Sequence, residues 1–330
     1  MHAAVLTAPD RIELHEVREP AFSATRIRVR SVGLCGTDLK IVAGRIPVEL
    51  PRIIGHEIGA EVLEDADLPP GTPVLVDPGV TCGACPQCRA GRGNICSRGW
   101  LLGRDRDGGL REVMDVPSAL LHPLPSSVPV ELAPLLQVLA TCVHGQRMLP
   151  VAAGASVVVL GLGVTGLLHL QLARDAGAGR IVGVSRSPGK LELASTLGAD
   201  AVVRAGGEDE LERVLEATGG GVDLVIECVG SVATLARAVE MASIGGAILA
   251  YGTIPETEGR LPFYDLYYKE LVVAHPRSAK SEDFPASIDA VATGRVHVAE
   301  LVSDRFPLAR ATDAFAAAAA PGARKVMIDL

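Results

Sequence analysis

Two textures of apolar residues divide the chain. Up to about residue 125 the apolar runs are short and broken by Pro and Gly, and Ile27–Val32 alternates with period two, as a half-buried strand does. Thr72–Pro78 predicts another strand, stopped by Asp-Pro. From about residue 130 the pattern changes. Val130 to Leu149 has helical spacing, and Ala155–Leu160 is a continuous apolar run suited to a parallel strand covered on both faces. Strands are then predicted at Arg180–Val184, Ala201–Val203, Val222–Ile226 and Ala247–Tyr251. Helices are predicted between them, at 165–176, Gly189–Leu197, Glu208–Ala217 and Ser231–Ala242. This alternation predicts an α/β protein whose second part is a doubly wound parallel sheet, preceded by a β-rich domain. The last fifty or so residues are mixed; Ala316–Ala320 is a local helical run and Lys325–Asp329 is strand-like.

Glycines stand at one informative place. Gly161-Leu-Gly163-Val164-Thr-Gly166 is G-x-G-x-x-G, directly after an apolar strand and directly before a helical pattern. In that setting it predicts a dinucleotide pyrophosphate site. The end of the second strand decides which dinucleotide. NAD sites place Asp or Glu there for the ribose 2′-hydroxyl, whereas this chain reads Ser185-Arg186-Ser-Pro-Gly-Lys190. A hydroxyl and cations suit a 2′-phosphate, so NADP is expected over NAD. Cys228, Val229 and Tyr251, at the ends of later strands, complete the expected cofactor-binding set.

Cysteine placement adds a second chemistry. Cys82, Cys85, Cys88 and Cys96 form C-x2-C-x2-C-x7-C. Four thiolates spaced this way enclose one tetrahedral zinc without an open position, which is a structural site. A nucleic-acid zinc ribbon and an iron–sulfur cluster are the rival readings of such a loop. Elsewhere Cys35, His56, Glu57 and Gln137 are ligand types that suit a catalytic zinc with one exchangeable position.

Composition narrows the partners. With 39 acidic against 31 basic residues among 330, the net charge of -8 argues against a nucleic-acid binder. No run reaches the roughly 18 apolar residues of a membrane helix. The first ten residues lack the basic start and apolar stretch of a signal peptide, so the cytoplasm is the expected compartment.

These motifs, with Gly33–Asp38, Gly55–Gly59, Gly103–Gly109 followed by Val116-Pro117, and Tyr268-Lys269-Glu270-Leu271, resemble the zinc-dependent medium-chain dehydrogenase/reductase family in its polyol and threonine dehydrogenase branch. The resemblance runs essentially end to end. It implies a GroES-like catalytic domain at 1–133 and 276–330, with the zinc lobe at about 80–100, and a Rossmann domain at 134–275. It implies that Cys35 and His56 bind catalytic zinc, that Glu57 can enter the shell, that Thr37 starts a proton relay and that Asp38 supports His56. Two positions depart from the branch: Gln137 stands where Glu is usual, a neutral and poorer ligand, and Lys40 stands where His often ends the relay. Cys142 is the lesser substitute for Gln137. Trp100, Leu101 and Arg277 occupy positions that resemble substrate contacts of polyol enzymes. The expected activity is interconversion of a secondary alcohol (a polyol, sugar, diol or amino-alcohol) and its ketone by a homodimer or homotetramer. The competing readings are a zinc-independent quinone or enone reductase and a zinc-binding scaffold without catalysis.

Overall fold

The computed structural model describes residues 1–20, 25–65 and 67–330. The described chain forms two compact units, one comprising Met1–Ala140, Ala279–Thr293 and Val298–Leu330, the other Thr141–Ser278 and Gly294–His297. The division falls inside the helix Ala133–Met148 rather than at its start, because the 3-10 turn Val130–Leu132 feeds that helix without a break.

The first unit is built on a seven-stranded sheet. Its order is Leu121–Pro123, Pro73–Val76, Glu57–Glu64, Thr25–Gly33, Lys325–Asp329 and Val302–Pro307, with Val113–Val116 also paired to Thr25–Gly33. The alternation read at Ile27–Val32 lies inside Thr25–Gly33, where Ile27, Val29 and Val32 are buried and Arg28 is exposed. Register matters for function. Gly33 pairs with Glu57 on one side and Met327 on the other, so the late strand Lys325–Asp329 lies beside the early Gly33–Cys35 segment. A separate hairpin, His2–Ala8 with Arg11–Glu16, was not predicted from the pattern.

The second unit is a six-stranded, wholly parallel sheet. Its order is Ala201–Arg204, Arg180–Ser185, Ser156–Leu160, Leu224–Glu227, Ala247–Ala250 and Val272–Ala274. The chain therefore reverses direction of winding beside Ser156–Leu160, and such a switch point is where doubly wound sheets bind ligands. The sixth strand was missed in the sequence because it is only three residues long. Tyr268-Lys269-Glu270-Leu271 gains a physical reason here. Lys269 Nζ donates to the carbonyls of Val239, Glu240 and Ala242 at 2.8, 3.0 and 2.9 Å, closing the C-terminal end of the helix Val232–Met241. Among the described residues no helix is long and apolar enough to cross a membrane.

Candidate metal and nucleotide sites

Cys35 ends the segment after Thr25–Gly33 and opens the short helix Gly36–Val42. His56 and Glu57 stand at the start of Glu57–Glu64, on the neighbouring strand. The ligand atoms of Cys35, His56 and Glu57 all lie within 4.8 Å of one another. Asp38, fully buried, ties two of them together. Its Oδ2 accepts the Cys35 backbone N–H at 2.9 Å, and its Oδ1 lies 3.2 Å from His56 Nδ1. With Nδ1–H donating to Asp38, the ring leaves Nε2 as the atom a metal would take in exchange for a proton, the arrangement of a metal-binding imidazole. Burial works against charge on this ring, but the Asp38 carboxylate and the Cys35 thiol outweigh it and raise its pKa well above the ordinary value. A soft thiolate, an oriented imidazole and a nearby carboxylate are a donor set that fits zinc.

Lys325 was not anticipated from the sequence. Its Nζ donates to both Glu57 oxygens, at 2.8 and 2.6 Å, and to the Leu34 carbonyl at 3.0 Å. Glu57 is 1% and Lys325 4% exposed, so this is a buried ion pair against the metal-ligand group. Gly33 makes room for it: a Cβ there would collide with Glu57 Oε2 and crowd Pro134. Gln137, one helical turn beyond Pro134, is buried, and its amide has no hydrogen-bond partner among the described residues. Thr37 and Lys40 lie on the helix Gly36–Val42, both half-buried. Cys142 is not gathered with Cys35. It lies in the second unit against the Thr165 carbonyl and the Tyr251 hydroxyl, each at 3.8 Å, and burial pushes its thiol up to about 12.

Cys82, Cys85, Cys88 and Cys96 converge as one group with sulfurs within 4.8 Å. Cys85 Sγ lies 3.5 Å from Cys88 Sγ and 3.7 Å from Cys96 Sγ. A zinc–sulfur bond of about 2.3 Å gives sulfurs about 3.8 Å apart around a tetrahedron, so the spacing fits the ion. Backbone N–H groups, chiefly those of Cys88 and Ser97, pull Cys85 down to about 5, and that of Ala84 leads in lowering Cys82 to about 7. Such donors favour the thiolates that a cation needs. Trp100 and Leu101 follow as a two-residue strand paired with Gly79–Val80. Arg277 is exposed and belongs to the second unit.

In the second unit the glycine turn joins Ser156–Leu160 to the helix Val164–Asp175, with Gly163 as its N-cap. Gly161 has φ +90°, and a Cβ on Gly166 would strike the Gly161 carbonyl oxygen, so both positions demand glycine. Ser185 ends its strand and accepts the Ser187 N–H at 3.2 Å, while Arg186 is exposed. Glu227, fully buried, fixes the loop holding Cys228 and Val229: its Oε1 accepts the N–H groups of Val229 and Gly230 and the Thr234 hydroxyl at 2.7, 2.9 and 2.9 Å. Val229 is thereby presented outward, half exposed. Tyr251 is tethered through its hydroxyl to Thr141 at 2.5 Å.

The chain is similar to known proteins along most of its length. Residues 23–126 match the alcohol dehydrogenase GroES-like domain and residues 164–293 the zinc-binding dehydrogenase domain. The chain is 31% identical to L-galactonate-5-dehydrogenase of Escherichia coli K12, over 91% of this chain and 89% of that one. It is 29% identical to sorbitol dehydrogenase of Bacillus subtilis, over 95% and 92% of the two chains. A structure described as a zinc-binding dehydrogenase from Sinorhizobium meliloti 1021, bound to NADP, superposes with a TM-score of 0.93 at 34% identity, covering 100% of this chain and 99% of that one. The GroES-like and Rossmann architectures, the two clustered ligand sets and the end-to-end likeness lead to one conclusion: the chain belongs to the zinc-dependent medium-chain dehydrogenase/reductase family and is an alcohol-dehydrogenase-type oxidoreductase.

Proposed function

We propose that this chain interconverts a polyol, sugar, vicinal diol or amino-alcohol and the corresponding ketone, with NADP as hydride carrier and two zinc ions per chain. One observation carries the reading: Cys35, His56 and Glu57 present three ligand atoms within 4.8 Å in the first unit, apart from the four-cysteine lobe. When bound, zinc supplies Lewis acidity to the substrate oxygen and the nicotinamide exchanges the hydride. Cys35 and His56 hold the metal, and Asp38 fixes the ring of one and the backbone of the other. Gln137, buried on the helix Ala133–Met148, is a neutral candidate for a further ligand, its carbonyl oxygen being uncommitted among the described residues. Thr37 sits two residues beyond Cys35 and carries the hydroxyl that takes the alcohol proton outward, with Lys40 a turn further along the same helix. Trp100, Leu101 and Arg277 are proposed to shape substrate choice. NADP is supported by Ser185 and Arg186 at the strand end where an acid would favour NAD, with Lys190 on the following helix.

The test is a panel of diols, polyols and ketones assayed with NADP and NAD, alongside zinc analysis. Two zincs and NADP-linked turnover are expected. Cys35→Ser should lose one zinc and the activity while keeping the fold; a fully active Cys35→Ser refutes the site. A homo-oligomer belongs to the same reading. Three of the four tyrosines, Tyr264, Tyr267 and Tyr268, are exposed beside the edge strand Val272–Ala274, whose Val272 and Val273 are exposed too. Light scattering that returns the monomer mass would remove it.

A further inference from the structure

We propose that Arg204 is a third cation for the 2′-phosphate of NADP and a determinant of cofactor choice, acting with Arg186 and Lys190. The inference rests on the NADP reading above. Arg204 is the last residue of the strand Ala201–Arg204, and in the parallel ladder it is the register partner of Ser185. Paired residues of neighbouring strands emerge on the same face. The pairing continues one residue further, where the Ala205 N–H donates to the Ser185 carbonyl at 3.0 Å. The end of this strand is therefore fixed against the residue at which an NAD enzyme would carry its acid.

The alternation of the strand selects the side chain. Val203 is buried and Arg204 exposed, as Val184 is buried and Ser185 half-exposed on the neighbouring strand. Arg186, next along, is exposed as well. Among the described residues no carboxylate pairs with Arg186 or Arg204. The nearest buried acid along the chain, Glu210, is committed elsewhere: its Oε2 accepts the Gly206 N–H at 2.6 Å and its Oε1 lies 3.6 Å from Arg237. Two exposed arginines without carboxylate partners among the described residues, one following Ser185 in sequence and one its register partner, match a dianionic phosphate on a ribose. An exposed arginine without that role would be a solvated surface charge, and the two assignments differ in what they predict for ligand binding.

The experiment measures binding of adenosine 2′,5′-bisphosphate and of 5′-AMP to the zinc-loaded protein by calorimetry, with no turnover involved. Wild type is expected to favour the 2′-phosphorylated ligand. Arg204→Ala, with Arg204→Gln as a second variant, should weaken that ligand about tenfold and leave 5′-AMP unchanged. Thermal melting checks that both variants fold, as an exposed strand end allows. A preference that survives in both variants while Arg186→Ala abolishes it overturns the role of Arg204 and leaves the NADP reading standing. Equal weakening of both ligands also overturns it, since Arg204 would then contact the adenine rather than the phosphate. If wild type shows no preference, the NADP reading itself fails and the proposal with it.

Discussion

Lys325 grips Glu57 by both carboxylate oxygens, at 2.8 and 2.6 Å, from a strand on the far side of Thr25–Gly33. Neither charge has access to bulk water. Removing one partner of such a pair strands the other in a poorly polarisable interior. Lys325→Met is expected to destabilise the first unit by about 3 to 5 kcal/mol, read from urea unfolding. Adding Glu57→Leu should restore much of that loss, because no lone charge then remains. A single variant as stable as wild type would show the pair to be dispensable.

Asp38 touches the Cys35 backbone and the His56 ring with separate oxygens. Asp38→Asn keeps the size and loses the charge that fixes the imidazole. Affinity for the zinc at Cys35 is expected to fall about 10- to 100-fold, measured by chelator competition, with the four-thiolate zinc unaffected. Unchanged affinity would leave Asp38 a purely structural acid.

The four-cysteine lobe has little apolar material of its own, and among its ligands Cys85 alone is buried. Order there should depend on the ion. Cys96→Ser is expected to lower the zinc content by one ion per chain and to open residues 82–98 to limited proteolysis, while the Cys35 zinc stays. Protease resistance equal to wild type would count against the metal as the organiser of the loop.

Asp77 behaves oppositely to a paired carboxylate. Burial pushes it up to about 6, against one Gly79 N–H that pulls it down. The folded state therefore holds the proton more tightly than the unfolded one. Its contribution favours folding below about pH 4 and is lost as pH rises through about 6. Asp77→Asn should then raise stability at about pH 8 by on the order of 3 kcal/mol and change it little below about pH 4. Thermal melts across that range check the sign.

What could be read from the sequence follows from how local each signal is. The glycine turn and the four-cysteine loop declare themselves within a few residues, and the parallel strands do so through unbroken apolar runs. Cys35 and His56 were legible through their motifs, although only the register of Thr25–Gly33 on Glu57–Glu64 brings them together. Lys325 was not legible, because a lysine in a strand-like run reads as a solvent-facing position and its partner is 268 residues away. Asp77 was read as a strand stop before proline, and nothing local marks it as buried. The placement of Arg204 beside Ser185 was hidden because it comes from which strand end lies beside which, and that of Glu227 because a lone acid ending an apolar strand gives no sign that it caps the loop after it.

The strand Lys325–Asp329 also sets an order of events in the cell. Glu57 leaves the ribosome 268 residues ahead of its lysine, an interval on the order of 10 to 50 s at typical translation speeds. Through that time the nascent sheet lacks a strand that belongs between Thr25–Gly33 and Val302–Pro307. Insertion of zinc beside Cys35, next to the completed Glu57–Lys325 pair, is thus expected only after Lys325 has been synthesised. The thiolate lobe, whose outermost ligands are 14 residues apart, can capture its ion while synthesis is still under way.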